Sequence, residues 1–328
     1  MKSVEAPARE SILLSIRHLR VHYPRRGWFW RRSGPVRAVE DFHLDLREGE
    51  TVGIVGESGC GKSSLARALL GLLRPASGSI RYDGRELVGL KKKEWRGIRR
   101  EVQMVFQDPL ASLNPKHSIG RILNEPLQNL CPELDSAQRE ARILEIIRRV
   151  GLDADCLDRK PREFSGGQAQ RIGIARALMV KPRLLICDEP VSALDVSVQA
   201  GVVNLLIELQ REFGLTMIFI AHDLAVVRYV SQRVAVMYLG RVVEQGPADQ
   251  VYSQPKHPYT RLLLASVPGE GAAAAADGEP PDPANPPMGC AFHPRCPMVD
   301  TMCVRDMPHL RRVGPQQYAA CHFVGGAS

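Results

Sequence analysis

The chain has 328 residues, of which 44% are hydrophobic and 24% charged, and 44 Lys and Arg residues against 36 Asp and Glu give a formal charge of +8. This composition excludes a largely disordered chain, and the length allows one large domain or two smaller ones. No apolar run approaches the roughly 18 residues that a membrane-spanning helix needs, and the N-terminus lacks the apolar stretch of a secretory signal. We therefore expect a cytosolic protein that reaches membranes through partners.

Two strands are predicted near the start of the chain, over residues 12–23 and 37–46, because apolar and polar residues alternate there. Between them lies the segment RRGWFWRR at 25–32, in which aromatic residues stand among basic ones. Such a segment is typical of contact with lipid headgroups or another protein, and equally of an ordinary exposed loop. We interpret the rest of the basic excess as solvated Lys and Arg on helix faces.

A glycine-rich turn, GESGCGKS at 56–63, follows a short apolar run at 51–55 that predicts a buried strand of the parallel kind. A helix is predicted from Lys62 to the Arg-Pro pair at 74–75. Such turns also occur without a nucleotide, but the sequence fits G-x-x-x-x-G-K-[ST], in which backbone N–H groups and a helix N-terminus surround phosphates. Lys62 is expected to bridge the β- and γ-phosphates, and Ser63 to bind Mg²⁺. The candidate nucleotide-binding residues here are Gly56, Ser58, Gly59, Cys60, Gly61, Lys62, Ser63 and Ser64.

Residues from about 109 to 165 are predicted to form a separate helical insertion. Within it, residues 137–150 carry apolar residues at helical spacing, with an N-cap at Asp135 or Ser136 and a stop at Gly151. Strands and helices alternate on either side of the insertion: a strand at 101–106 before it, and a strand at 183–187, a helix at 198–213 and strands at 216–221 and 233–238 after it. This order predicts a mostly parallel sheet with helices on both faces.

Two carboxylates, Asp188 and Glu189, follow a buried apolar run. Ligands of open α/β sheets bind at the carboxyl ends of the strands. Asp188 is therefore expected to hold Mg²⁺, partly through water, and Glu189 to polarise the attacking water as a general base. The alternative is a helix-capping Asp-Glu pair, which a phosphate loop elsewhere in the chain makes less probable.

The motif FSGGQ at 164–168 resembles the signature motif of ATP-binding-cassette ATPases, and SALD at 192–195 is similar to the loop that follows the catalytic glutamate in that family. The resemblance covers roughly residues 12–265, with the motifs in the expected order. It implies that His222 is the switch histidine, and that Gln107, in the glutamine loop, also binds Mg²⁺. Tyr23 is then the aromatic residue that stacks on adenine. The remaining nucleotide-site residues implied are Ser165, Gly166, Gly167, Gln168 and Asp195.

This resemblance implies a reaction that one chain cannot complete. Two cassettes face each other head to tail, and each ATP lies between the phosphate loop of one chain and the signature of the other. Ser165 and the backbone of Gly166 and Gly167, at a helix N-terminus, would close on the γ-phosphate of the partner's nucleotide. His222 would then steady the γ-phosphate while Glu189 orients the attacking water.

The chain more closely resembles the ATPases of bacterial dipeptide and oligopeptide importers, a group that includes nickel importers. The basic insertion after Tyr23 is similar to that of the second of their two paired ATPases. The motifs that carry this resemblance are QDPLASLNP (107–115), CDEPVSALDVSVQA (187–200), VAVMYLGRVVEQGP (234–247) and HPYTRLLL (257–264). It implies import of short peptides by a peripheral protein on the cytoplasmic face of the inner membrane. The implied partners are a second, non-identical ATPase, two permease subunits and an extracytoplasmic solute-binding protein.

Three other functions are compatible with parts of this sequence. A nickel or other small-solute importer stays open, because specificity in such systems lies in other subunits. A soluble cassette ATPase acting on ribosomes or DNA usually has two fused cassettes or a long coiled-coil insertion, and this chain has neither, so no nucleic-acid partner is expected. A module that binds ATP without turnover is disfavoured by the intact Glu189 and His222.

The C-terminal region is divided into a linker at 267–288, rich in Ala, Gly and Pro, and a tail at 289–328 that also resembles this subfamily. Disulfides are improbable for its four cysteines in the cytosol. Zinc is possible, but their spacing is unlike paired C-x₂-C knuckles. In peptide-importer relatives this segment is associated with a [4Fe–4S] cluster, the interpretation we favour, with a structural role. The proposed ligands are Cys290, Cys296, Cys303 and Cys321, whereas the other four cysteines are expected to be single thiols.

The predicted fold class is thus α/β. Residues 1–266 form a P-loop NTPase core, with N-terminal antiparallel strands, a mostly parallel sheet with helices on both faces, and the inserted helical subdomain. A linker and a small Cys-rich tail follow.

Overall fold

The computed structural model describes residues 11–24, 35–266 and 279–325. The basic aromatic segment 25–32 lies outside the described residues, as does most of the predicted linker. The strands are β1 (Ile12–Tyr23), β2 (Val36–Arg47), β3 (Thr51–Val55), β4 (Ser77–Tyr82), β5 (Arg85–Glu86), β6 (Val102–Val105), β7 (Leu184–Asp188), β8 (Thr216–Ala221), β9 (Arg233–Tyr238), β10 (Arg241–Pro247), β11 (Arg311–Arg312) and β12 (Tyr318–Ala319).

The α-helices alternate with these strands over most of the chain. They are α1 (Lys62–Leu69), α2 (Trp95–Glu101), α3 (Pro109–Ser112), α4 (Ile119–Leu130), α5 (Ser136–Arg149), α6 (Gly166–Leu178), α7 (Val196–Phe213), α8 (Leu224–Val230), α9 (Ala248–Ser253), α10 (Pro258–Ala265) and α11 (Thr301–Arg305). Within the described ranges, none of the helices has the length and apolar character needed to cross a bilayer.

The strands form two sheets. A four-stranded antiparallel sheet has the order β2-β1-β4-β5, and an eight-stranded sheet has the order β11-β12-β10-β9-β3-β8-β7-β6. Five strands of the larger sheet, from β9 to β6, run parallel; at one side β10 pairs antiparallel with β9, and β12 pairs antiparallel with β10. The mostly parallel sheet expected from the strand–helix alternation is therefore confirmed.

The apolar runs of β3, β7 and β8 are buried along their whole lengths, as expected for central strands of a parallel sheet. Because these strands are parallel neighbours, their carboxyl ends share one edge of the sheet. The loops that begin at Gly56, Glu189 and His222 therefore leave the sheet side by side, which brings the phosphate loop and the predicted catalytic residues together.

Helix α1 ends earlier than predicted. It stops at Leu69 rather than near residue 74, because Gly71 turns the chain with a φ of +65°. The indole of Trp95 packs so closely against Gly71 that a Cβ there would lie 2.2 Å from the ring. Trp95 begins α2, a helix that the hydrophobic pattern did not predict.

All the regular structure between β6 and α6 is helical: it consists of α3, α4, α5 and two short 3₁₀ turns. Asp135, and not Ser136, is the N-cap of α5, and it forms a capping box with Gln138. The chain leaves α5 through Gly151, which has a φ of +72°.

The tail packs onto the larger sheet. Its strand β12 pairs with β10, and the ring of Phe292, which is 1% exposed, contacts Tyr238 at the end of β9 and Tyr259 in α10. The tail therefore shares the hydrophobic core of the cassette.

Candidate nucleotide-binding site

The phosphate loop turns between β3 and α1 with little room for side chains. A Cβ at Gly56 would lie 2.2 Å from the carbonyl oxygen of Met237, and one at Gly61 would lie 1.9 Å from that of Ala38. Gly61 also holds a left-handed φ of +107° at the N-cap of α1. Because glycine has no side chain to cap the helix, the N–H groups of the first turn face the loop, an arrangement suited to an anion.

Lys62 is 4% exposed and lies inside this loop. Its ammonium donates to the carbonyl oxygens of Gly56 at 2.6 Å and Glu57 at 3.1 Å, and it lies 3.6 Å from the Glu189 carboxylate. The lysine predicted to contact phosphate is thus directly beside the carboxylate predicted to activate water.

Asp188 ends β7, and its carboxylate accepts a hydrogen bond of 3.0 Å from the hydroxyl of Ser63. Burial raises the pKa of Asp188, the Ser63 hydrogen bond opposes that shift, and the neighbouring Glu189 adds to it. A hydroxyl paired with a buried carboxylate is a donor set that suits Mg²⁺. Ser63 of α1 and Asp188 of β7, both predicted to bind Mg²⁺, are therefore in direct contact.

Glu189 is the centre of a converging group of polar side chains. Its φ of +46° is rare for a residue other than glycine, and its N–H donates to Ile220 of β8 at 2.9 Å. The Gln107 amide donates to its carboxylate at 3.2 Å, and Nδ1 of His222 lies 4.0 Å away. The residues from three separate loops thus surround one carboxylate, and Glu189 does not cap a helix.

The predicted adenine-stacking residue also lies beside the loop. The hydroxyl of Tyr23, at the end of β1, is 3.1 Å from the hydroxyl of Ser64 in the first turn of α1. Sequence position alone did not require this contact, because β1 belongs to the other sheet.

The signature motif forms a separate corner of the molecule. Ser165 is the N-cap of α6 and exchanges capping-box hydrogen bonds with Gln168. A Cβ at Gly167 would lie 2.4 Å from Val198 of α7, so this corner is packed against the helix that Asp195 precedes. Among the described residues, no hydrogen bond or ion pair joins 165–168 to the loop 56–63.

The structure also shows two contacts that sequence reasoning missed. The hydroxyl of Tyr259 accepts a hydrogen bond of 2.9 Å from the N–H of Glu57, and Arg295 pairs with the Glu57 carboxylate. Tyr259 lies in the HPYTRLLL motif and Arg295 in the Cys-rich tail, and the sequence indicates only a subfamily resemblance for both. No local pattern marks contacts that span some two hundred residues of chain.

The four tail cysteines lie together, at half-buried or buried positions. Burial, together with the nearby thiols of the other three cysteines, raises the pKa of Cys290 to about 11. Backbone N–H groups two residues further along the chain donate to three of the sulfurs: Phe292 to Cys290, Met298 to Cys296 and Phe323 to Cys321.

Together, a parallel sheet, a glycine-rich loop with a buried lysine and a carboxylate pair at the next strand end define a P-loop nucleotide hydrolase. The ABC transporter family model matches residues 39–192, and the model of the oligopeptide/dipeptide transporter C-terminal region matches residues 243–303.

The chain is 51% identical over 309 residues to the oligopeptide transport ATP-binding protein OppF of Escherichia coli K12, covering 91% of this chain and 92% of that protein. It is 46% identical over 325 residues to AppF of Bacillus subtilis 168, also an oligopeptide transport ATP-binding protein, with 96% and 98% covered. The chain therefore belongs to the ATP-binding-cassette ATPases of the oligopeptide importer family.

Solved structures of ATP-binding cassettes have the same fold as this chain. A dimeric ATP-binding cassette in a post-hydrolysis state, bound to ADP and Pi, has a TM-score of 0.64 and 28% identity, covering 72% of this chain and 98% of that one. CbiO1 of Clostridium perfringens, part of an ABC transporter complex, has a TM-score of 0.65 and 28% identity, with 78% and 95% covered.

Proposed function

We propose that this chain hydrolyses ATP to power the import of short peptides through a membrane transporter. The observation that carries the proposal is the group around Glu189, where Lys62, Gln107 and His222 converge on one carboxylate at the strand edge beside the phosphate loop. The relatives at about half identity, which are named for oligopeptide transport, supply the substrate class.

Within this site each residue has a distinct role. The loop from Gly56 to Ser64 binds the phosphates, and Tyr23 stacks on the adenine. Ser63, Asp188 and Gln107 hold Mg²⁺, which neutralises charge on the transferred phosphoryl group. Glu189 accepts the proton of the attacking water, and His222, whose side chain is 59% exposed, reaches the γ-phosphate.

A second ATPase subunit completes the site. The Ser165–Gln168 corner makes no contact with this chain's own phosphate loop in the described residues, yet it offers a serine hydroxyl and a helix N-terminus suited to a phosphate. It is therefore available to a nucleotide held by a facing cassette, and Asp195 lies at the same face. The partner is expected to be the second, non-identical ATPase of the importer.

The permease subunits are proposed to dock beside Gln107. A groove of about 690 Å³ lies between the core and the helical segment, and it is lined by Gln107, by exposed Phe106 and Leu72, and by Arg99. Movement of a permease segment here would reach Glu189 through the Gln107 amide, so binding and hydrolysis can be coupled. With the permeases docked here, the chain would lie at the cytoplasmic face of the membrane, and the solute-binding protein would deliver peptide from the other side.

The tail cysteines are proposed to hold a [4Fe–4S] cluster. Burial raises the pKa of three of these thiols, Cys290, Cys296 and Cys321, so a bound cation is needed to make them thiolates, and N–H donors to the same three sulfurs suit a cluster. A cluster held by these four cysteines would tie the tail's loops together.

The hydrolysis proposal is tested with Glu189→Gln. Because only the proton acceptor is lost, MgATP should bind with an unchanged or lower Kd, whereas turnover should fall on the order of 100-fold or more. Binding and phosphate release are measured on the same preparation. Glu212→Gln, which removes an exposed carboxylate paired with Arg149, is the matched control and should hydrolyse ATP as the wild type does. Turnover of Glu189→Gln near the wild-type rate would refute the assignment.

A further inference from the structure

The phosphate loop is held from outside by the C-terminal part of the chain. The Arg295 guanidinium forms two hydrogen bonds with the Glu57 carboxylate, at 2.8 and 3.0 Å, while the Tyr259 hydroxyl accepts the Glu57 N–H at 2.9 Å. The Arg295 side chain is 7% exposed and that of Glu57 is 25% exposed. A bidentate pair of this burial is stronger and more directional than an exposed salt bridge.

The position of Glu57 explains why this pair matters. Glu57 is the second residue of the phosphate loop, and its own carbonyl oxygen accepts a hydrogen bond from Lys62. A carboxylate in such a loop repels phosphate unless its charge is neutralised, and partial burial strengthens that repulsion. Arg295 supplies the compensating charge from 238 residues away.

We propose that Arg295 is a positioning residue for nucleotide binding: it neutralises Glu57 and fixes the phosphate loop, so that this chain's affinity for ATP depends on its C-terminal tail. The inference rests on the proposed function, since it requires that the loop binds ATP.

The tail is built to hold Arg295 in place. Phe292, three residues before it, packs against the rings of Tyr238 and Tyr259, and the Arg295 guanidinium carbon lies 5.9 Å from the ring centres of Phe292 and Tyr238. Cys296, a proposed cluster ligand, follows directly in the sequence. The folded tail therefore sets where the guanidinium can reach.

The test measures the Kd for MgATP and the turnover at saturating ATP in full-length protein. Arg295→Ala leaves the Glu57 charge unpaired, and its Kd should rise about tenfold, within the range usual for coupling between sites. Turnover at saturation should change little, because Arg295 does not touch the reacting groups. Arg312→Ala is the matched control: among the described residues the Arg312 guanidinium bonds only the carbonyls of Gly314 and Pro315, within the tail, and the Kd of this variant should stay at the wild-type value.

A double-mutant cycle separates charge neutralisation from simple docking of the tail. In a Glu57→Gln background there is no charge to neutralise, so Arg295→Ala should change the Kd by less than about twofold. Arg295→Lys, which keeps the charge, should bind ATP better than Arg295→Gln, which keeps the first part of the side chain but carries no charge. These two variants also serve if Arg295→Ala does not fold.

Three results would overturn the inference: a wild-type Kd for Arg295→Ala, an equal effect of Arg295→Ala with and without Glu57→Gln, or equal affinities for the Lys and Gln variants. Each leaves the proposed function standing so long as the wild type binds and hydrolyses ATP. If the wild-type chain bound no ATP, both the inference about Arg295 and the proposed function would be refuted.

Discussion

Glu244 is a fully buried carboxylate whose charge is satisfied by three donors from the C-terminal half of the chain. It accepts hydrogen bonds from the N–H groups of Lys256 and His257 and from the amide of Gln317, at 2.7 to 2.9 Å. Gln317 also reaches the carbonyl oxygen of Gln254. Three of these bonds meet at one side chain of β10, so Glu244 joins the sheet, the start of α10 and the tail.

His257 should make the protein less stable in acid. It is 2% exposed, caps α10 by accepting the Tyr259 N–H at 3.0 Å, and burial lowers its pKa from 6.5 to about 3. The folded chain keeps this histidine neutral while the unfolded chain protonates it below pH 6.5. Stability is therefore intact above that pH and falls as the pH drops toward 3, by about 2 kcal/mol at pH 5.

Denaturant unfolding between pH 7.5 and 4.5 measures this effect. His257→Asn keeps a capping side chain but does not titrate, so its unfolding free energy should decline less steeply than that of the wild type. His309→Asn, which changes an exposed histidine of the tail, is the control. Identical slopes for wild type and His257→Asn would show that His257 does not cause the decline.

The regular elements differ in how well local pattern predicts them. Strands β3, β8 and β9 were predicted at their observed positions, because a short buried strand needs a continuous apolar run between turn residues. The cap of α5 was predicted for the same kind of reason, since Asp135 acts on a neighbour three residues away. The nucleotide motifs also come together as expected, because parallel strands align their carboxyl ends.

Elements that depend on distant contacts escaped prediction. Helix α2 has two buried residues, Trp95 and Ile98, and its apolar signal is too short to distinguish from a loop. Glu57 is similar, because no neighbouring residue in the sequence indicates that its carboxylate pairs with an arginine of the tail. Tertiary contacts decide both features, and a single sequence records those contacts only indirectly.

The N-terminus of α6 should act on the nucleotide of the facing subunit. In the assembled importer, Ser165→Ala is expected to reduce hydrolysis at the partner's phosphate loop by at least about tenfold while sparing nucleotide binding at this chain's own loop. Vanadate trapping with a photoreactive ATP shows which subunit carries the trapped nucleotide. Label should be lost from the partner and retained on this chain.

Ser165→Ala also removes the N-cap of α6, and the loss of this cap could lower hydrolysis by itself. Ser118 is also an N-cap serine in the helical segment, where its hydroxyl accepts the N–H of Arg121, and Ser118→Ala removes a comparable cap worth about 1 kcal/mol. That variant should trap nucleotide on both subunits. If Ser165→Ala abolished trapping on its own chain and spared the partner, the signature would act within one chain and the two-chain site would be wrong.

The tail connects several parts of the molecule that are far apart in sequence. It adds β12 to the sheet, places Phe292 in the core and extends Arg295 to the phosphate loop. Its own regular structure amounts to α11, a 3₁₀ turn and two strands of two residues each. Such short elements bury little apolar surface among themselves, so ligation at the cysteines is expected to supply much of the tail's order.

Anaerobically purified protein should therefore contain about four iron and four sulfide per chain and absorb visible light. Cys303→Ser removes a buried ligand and should lower the iron content and loosen the tail, which hydrogen exchange of residues 289–325 can follow. Cys131→Ser, at a buried cysteine in the helical segment, should retain the full iron content. Because the segment from Cys290 to Cys296 holds both two proposed cluster ligands and Arg295, which bonds Glu57 of the phosphate loop, exchange of the loop should rise with that of the tail. Stoichiometric zinc without visible absorbance would exclude the cluster, and full iron content in Cys303→Ser would exclude this set of four ligands.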